Sequence, residues 1–326
     1  MQKYLMGFVL ILLCLGGTIG CDFDESTDSL LPSAADTASQ EPEQPDSSTE
    51  DSADTGGESE DSADTVSQEP VPVFEDRLAL QDYLAKLPKN TPEEPYPIRI
   101  HGLDLSKKNS LMAWYAVLSK FVALDLRECT GSSIGNALFL DEKNPNPGMA
   151  QLVSIIFPET VTVIENNRFA DCPNLRAVEG VAVTSLSSAA FARCPALKSA
   201  VFPKARELKY TSNSTERGVF SKSKSLETVI IPKAETIGNY AFYDCASLQT
   251  LVLPNVKSFG VRVFKGSGIT TLTLGETVPS LEAGVFEEIP LPKIYVPDLG
   301  AYQETEISGW TAELKAVIKA LPEHLK

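Results

Sequence analysis

Two histidines and six cysteines are the residues of this 326-residue chain best suited to act as general base, nucleophile or soft metal ligand. His101 and His324 stand far apart, and neither belongs to a Ser/His/Asp or Cys/His arrangement that spacing reveals. HExxH, paired CxxC, Walker and GxGxxG patterns are missing. Asp and Glu total 44, which supplies material for a carboxylate-pair hydrolase but no motif for one. Asn213-Ser214-Thr215 matches a glycosylation sequon, a triplet common by chance. The residues predict that the chain is not an enzyme and that it has no catalytic residues, no cofactor and no metal ligands.

One cysteine has a chemical context. Lys3 is followed by an apolar run from Tyr4 to Leu15, too short to span a bilayer comfortably, then by Gly16, Gly17, Thr18 and Gly20 and by Cys21. This has the layout of a secretory signal over residues 1–20. The TIGC at its end resembles a bacterial lipobox, which implies lipidation of Cys21 as the mature N-terminus, although Thr18 stands where such motifs usually carry Leu. An ordinary signal peptide cleaved nearby is the alternative.

Residues 21–72 contain sixteen Asp or Glu and no Lys or Arg. They repeat themselves, SAADTASQEP at 33–42 returning as DSADTVSQEP at 61–70. Such a composition cannot bury enough apolar surface to offset its ordering entropy, so an acidic, disordered Ser/Thr/Pro-rich tether is expected over 21–73. With Lys3 also set aside, 28 acids face 27 bases in residues 73–326, and nothing in that balance suggests a nucleic-acid groove.

The elements that must position any site lie downstream. Leu80, Leu84 and Leu87 share a helical face, as do Leu111, Trp114, Tyr115 and Leu118, which predicts a helical N-terminal cap over 74–120. From residue 152 the chain repeats: LVSIIFP, LRAVEGV, LKSAVFP, LETVIIP, LQTLVLP, ITTLTLG and LPKIYVP begin at 152, 175, 197, 226, 248, 269 and 291. A second beat ends in Phe169, Phe191, Phe220, Phe242, Phe264 and Phe286, spaced by 22 residues except for 29 across an insertion around Tyr210–Glu216. FVALDLREC fits as a degenerate first unit, and Leu314, Val317, Ile318 and Leu321 suggest a closing amphipathic helix. A strand, a turn at Pro and a returning apolar stretch cannot bury Leu, Val and Phe alone, so the units must stack.

CPNLRAV, CPALKSA, CASLQTLVLP and ETIGNYAFYDC resemble the BspA-like, treponemal leucine-rich-repeat family of surface lipoproteins, and the likeness extends over roughly residues 74–326. The reading is an α+β solenoid of repeats of about 22–23 residues, one short strand per repeat, over 121–297, with helical N- and C-terminal caps at 74–120 and 298–326. Cys172, Cys194 and Cys245 each follow a ladder Phe by three residues, so they stack at one corner. Buried free thiols are expected there, with a Cys172–Cys194 disulfide as the alternative.

Period-two alternation turns positions 3 and 5 of each strand outward. The third row is Ser154, Ala177, Ser199, Thr228, Thr250, Thr271 and Lys293; the fifth is Ile156, Glu179, Val201, Ile230, Val252, Thr273 and Tyr295. That fifth row is the candidate protein-binding face, expected to be exposed and partly apolar, with the inserted loop as a rival site. The resemblance implies a lipid-anchored protein of the outer membrane or cell surface, an adhesin toward a host extracellular-matrix protein or a bacterial surface protein. A periplasm-facing scaffold with a bacterial partner is the alternative. The membrane is engaged through the N-terminal lipid, and no nucleic acid is expected.

Overall fold

The computed structural model describes residues 70–107, 110–134, 147–210, 217–304 and 308–322. The signal, Cys21, the tether up to residue 69, the insertion at 211–216 and His324 lie outside these residues.

Each repeat but the last contributes a strand to each of two sheets, not one strand alone. The main strands are β5 (Leu152–Ile156), β7 (Ala177–Glu179), β9 (Ser199–Val201), β11 (Thr228–Ile230), β13 (Thr250–Leu253), β15 (Thr271–Leu274) and β17 (Lys293–Val296). Between them lie two-residue strands, β6 (Val163–Ile164), β8 (Ser185–Leu186), β10 (Glu207–Leu208), β12 (Thr236–Ile237), β14 (Ser258–Phe259) and β16 (Ser280–Leu281). These pair in parallel from unit to unit into a second sheet. In most of them a polar residue faces out and an apolar one faces in, a strand too short for sequence period to reveal.

The N-terminal end is mixed, not helical. A ten-residue helix, Arg77–Lys86, is capped by Asp76, whose side chain accepts the Ala79 N–H at 3.1 Å. Two nine-residue strands, β2 (Tyr96–Asp104) and β3 (Val122–Thr130), flank a short helix at Ser110–Tyr115 and extend the main sheet to the edge strand β1 (Val73–Phe74). FVALDLREC opens a unit that adds a strand to both sheets, because β3 pairs with β5 and β4 (Ser133–Ile134) pairs with β6. At the other end, helices Leu299–Glu304 and Ala312–Ala316 are short, and the chain closes with β18 (Ile318–Ala320) paired to β17. The apolar set assigned to a closing helix divides between a helical Leu314 and a strand Ile318, both buried. Over so few residues the two periods cannot be distinguished.

The main sheet runs β1-β2-β3-β5-β7-β9-β11 and, separately hydrogen-bonded, β13-β15-β17-β18. Inside, the start residues Leu152, Leu175, Leu197, Leu226, Leu248 and Ile269 are buried, whereas Leu291 of the last unit is exposed. The ladder phenylalanines stack nearly face to face, at 5.3 Å for Phe169–Phe191 and 5.7 Å for Phe191–Phe220, Phe220–Phe242 and Phe242–Phe264, then 5.6 Å for Phe264–Phe286. Phe220 is thus in phase despite the insertion.

The corner beyond each Phe is held by backbone. The N–H groups of Phe169, Phe191, Phe220, Phe242 and Phe264 each donate to a carbonyl of the next unit. Two residues before and two after the Phe the chain adopts left-handed φ, at Asn167 and Asp171, Ala189 and Arg193, Tyr240 and Asp244. Non-glycine residues bear this at a cost of about 1 kcal/mol each, and the varied residue types at these positions give no sequence signal for it.

Cys129, Cys172, Cys194 and Cys245 are buried free thiols. The Cys194 Sγ donates to Phe169 O at 2.9 Å and the Cys245 Sγ to Phe220 O at 3.2 Å, each reaching the ladder residue of the unit before. Ser223 occupies the same position and donates its Oγ to Phe191 O at 2.8 Å. The column is therefore a place for a small buried donor, not simply a small hydrophobe. Burial pushes the Cys172 and Cys245 thiols well above their ordinary value, and Cys129 up to about 11.

Two outcomes follow from the stacking. Phe242→Ala removes a rung covered on both faces and should cost about 3–5 kcal/mol in urea denaturation. Cys245→Ser should be tolerated, whereas Cys245→Val, which removes one of the two hydrogen bonds to Phe220 O and leaves that of the Ser223 N–H, should lower stability by about 1 kcal/mol in the same assay.

Candidate interaction surface

Strand register assembles the fifth position into one continuous row: Val73, Arg99, Asp125, Ile156, Glu179, Val201 and Ile230 across the first sheet segment. Val252, Thr273, Tyr295 and Lys319 continue it across the second. The third row, Ala123, Ser154, Ala177, Ser199 and Thr228, is small side chains, followed by Thr250, Thr271 and Lys293. The intervening positions Ile155, Val178, Ala200, Leu251, Leu272 and Ile294 are buried, as alternation requires.

Exposure along the fifth row is uneven. Val252 is 42 % exposed, and Ile156, Glu179, Thr273 and Tyr295 are half-buried. Val201 and Ile230 are only 2 % and 8 % exposed, which corrects the expectation of an unbroken exposed apolar stripe. In a parallel sheet, in-register neighbours about 4.8 Å away cover one another, and Val201 lies between Glu179 and Ile230. Val252 is in register with Thr273 on one side, while β11 lies on its other side without a hydrogen-bonded ladder to β13.

The two ends of the row differ in chemistry. Toward the N-terminus the charges are answered internally. Asp125 accepts Arg99 Nε at 2.9 Å, Arg127 Nε and Nη2 at 3.0 and 2.8 Å, and the Arg127 backbone N–H at 3.1 Å. Arg99 Nη1 also donates to Glu128 at 3.1 Å. Burial works to raise the Asp125 carboxyl, but these Arg127 and Arg99 hydrogen bonds outweigh it and hold it down at about 2. Burial raises Glu179, opposed by Arg127. Toward the C-terminus, Val252, Thr273 and Tyr295 stand beside the hydroxyls of Thr250 and Thr271, with Lys293 and Lys319 as the charges at that end.

His101 lies outside the row, 3.1 Å from Glu128 through Nδ1, in an exposed ion-pair group. Among the described residues, no group of three or more His, Cys, Asp or Glu side chains is placed to hold a metal ion. No described helix is long and apolar enough to cross a membrane. Sequence pattern marked out the outward rows. It missed Arg99 and Asp125, which join the row only through the register of β2 and β3, and Arg127, which pairs with Asp125 from the same strand.

A stack of parallel two-strand units with in-phase leucine and phenylalanine columns is a leucine-rich-repeat solenoid. Residues 147–232 and 213–305 match the family model described as BspA type leucine rich repeat region, in six copies, and the repeat domain belongs to that family. A leucine-rich cell surface protein from Faecalibacterium prausnitzii is similar at 23% identity and a TM-score of 0.38, over 50% of this chain and 43% of that one. A T. pallidum leucine-rich-repeat protein shares 16% identity at 0.28, over 45% and 60%. One from Bacteroides ovatus shares 16% at 0.24, over 52% and 59%. The chain thus spans less than two thirds of each of these proteins. No curated protein matches the sequence significantly.

The Asp125 carboxyl titrates below its ordinary 3.8 in the fold. Its stabilisation is therefore complete above about pH 4 and is lost as pH falls through about 2. Asp125→Asn should cost about 2 kcal/mol at neutral pH and flatten the acid limb of stability, read by urea denaturation over a pH series.

Proposed function

We propose that this chain is a lipid-anchored cell-envelope protein that binds another protein through the outward face of its main sheet, acting at the cell surface as an adhesin toward host matrix or neighbouring cells. The observation that carries the binding face is Val252, an exposed valine in register with Thr273 and Tyr295 on hydrogen-bonded strands. Apolar and aromatic side chains fixed on a rigid sheet lose little entropy when a partner covers them. Ile156 and Glu179 extend the same row, while Val201 and Ile230 support it from beneath the accessible surface. The anchor rests on Cys21 and the lipobox-like TIGC, and display rests on the long acidic segment between it and the repeats. The BspA type of the repeats supports a binding role over catalysis.

Protease treatment of intact cells, with a periplasmic protein as leakage control, tests the location. Cleavage within residues 22–72 while the control stays whole is the expected result. Protection until the outer membrane is breached would turn the reading to a periplasm-facing scaffold. For the face itself, Val252→Asp with Tyr295→Ala should weaken adhesion to matrix-coated surfaces about tenfold or more at an unchanged thermal midpoint. Unaltered adhesion would remove the face from the proposal.

A further inference from the structure

On the second sheet, the residue after each short strand is hydrogen-bonded back to the preceding unit. The Lys209 N–H donates to Leu186 O at 2.7 Å, Gly238 to Leu208 O at 2.8 Å, Gly260 to Ile237 O at 2.8 Å and Glu282 to Phe259 O at 3.0 Å. These are four successive rungs of one ladder, so Lys209 and Glu282 are separated by about 14 Å at the usual strand spacing. The two rungs between them carry no side chain and cannot accept one. A Cβ on Gly238 would lie 2.4 Å from Leu208 O, and one on Gly260 would lie 2.2 Å from Asn239 Oδ1. The result is a slot floored by backbone at Gly238 and by backbone and the Asn239 amide at Gly260, with Lys209 lining one end and Glu282 the other.

Its walls are parallel rows. Glu207, Thr236 and Ser258 are the outward residues of β10, β12 and β14 and form one side. Tyr210, Asn239 and Val261 form the other, and the open cleft between has a volume of about 710 Å³. That is within the range of small-ligand sites, roughly 300–1,000 Å³. Tyr210 rests against Tyr240, with ring centroids 5.9 Å apart. Asn239 is fixed by its Oδ1, which accepts the Val261 N–H at 2.9 Å, and its Nδ2 is left as the end that meets a ligand.

The chemistry of the slot selects among ligand classes. The floor N–H groups are already used within the ladder, so an extended peptide cannot be captured by strand addition. Two carboxylates, Glu207 and Glu282, outnumber the one ammonium, and Lys209 is already 3.2 Å from Glu207, which disfavours a polyanion. What remains is hydroxyl, amide and carboxylate groups facing the apolar surfaces of Tyr210 and Val261. That combination pairs with dense hydroxyls on a ligand whose other faces are C–H. We propose that this slot is a binding site for a short neutral oligosaccharide. It lies on the second sheet and does not depend on the outward face of the main sheet.

The test uses the purified full-length chain on an array of neutral, sulfated and sialylated oligosaccharides together with short neutral and acidic peptides, followed by calorimetric titration of the best neutral glycan. Retention of neutral glycans is expected. Ser258→Trp, which fills the slot from a strand position, and separately Tyr210→Ala and Glu282→Ala should each weaken binding about tenfold or more, at an unchanged thermal midpoint. Val252→Asp should leave it unchanged, so that failure of the main-sheet reading and failure of this one are separable. If Ser258→Trp does not fold, the other two variants decide. Absence of neutral-glycan binding at millimolar concentration, a preference for charged glycans or peptides, or wild-type affinity in the folded variants would overturn the assignment.

Discussion

A single unit of this solenoid has no surface of its own on which to bury its leucine, its strand residues and its phenylalanine. Every apolar group it presents must be covered by the units on either side. The rings make this concrete: Phe191 is covered by Phe169 on one face and Phe220 on the other, at 5.3 and 5.7 Å. Backbone groups follow the same rule, because the ladder N–H groups are answered one unit along and the cysteine-column donors one unit back. Stability is then a sum of neighbour interfaces, and phase matters more than length. The insertion at 211–216 is tolerated because Phe220 and Ser223, both after it, re-enter the columns in phase.

The same rule creates a problem at the two ends of the described stack, where the outermost unit has a neighbour on one side alone. The N-terminal end leaves only the two-residue β1 as an edge, with the helix Arg77–Lys86 burying Leu80 and Leu84 beside it. The C-terminal end stops at the three-residue β18, after short helices that carry the buried Tyr302 and Leu314. Tyr302 shares its single hydroxyl hydrogen between Gly275 O and Thr277 O, tying the last turn to the unit that begins at Ile269. Short edge strands flanked by helices limit the unpaired backbone available for edge-to-edge association.

Because inward positions are committed to stacking, variation is confined to the outward rows and turns. There the chain places three different surfaces on one scaffold. The N-terminal strands carry charges that neutralise one another around Asp125. The C-terminal strands carry hydroxyls, Val252 and Tyr295, bordered by Lys293 and Lys319. The second sheet carries the glycine-floored slot between Lys209 and Glu282. Each surface spans several units, so its geometry is set by the hydrogen-bonded spacing of rungs and not by any one loop.

The sequence by itself determined the repeat, its phase, the phenylalanine and cysteine columns and the identity of the outward rows, because these depend on periods that survive in one dimension. It did not determine how the ends close, since over five or six residues helical and strand patterns coincide, and Leu314 and Ile318 fall into different elements. Nor did it disclose the two-residue strands or the left-handed turns at Ala189, Arg193 and Tyr240, where the residue types carry no preference and neighbouring units impose the geometry. Exposure was likewise a tertiary decision. Val201 and Val252 occupy the same repeat position, yet one is buried and the other is exposed. The slot on the second sheet belongs to the same class. Gly238 and Gly260 are 22 residues apart in the chain, and only the stacking of their units makes them adjacent rungs of one floor.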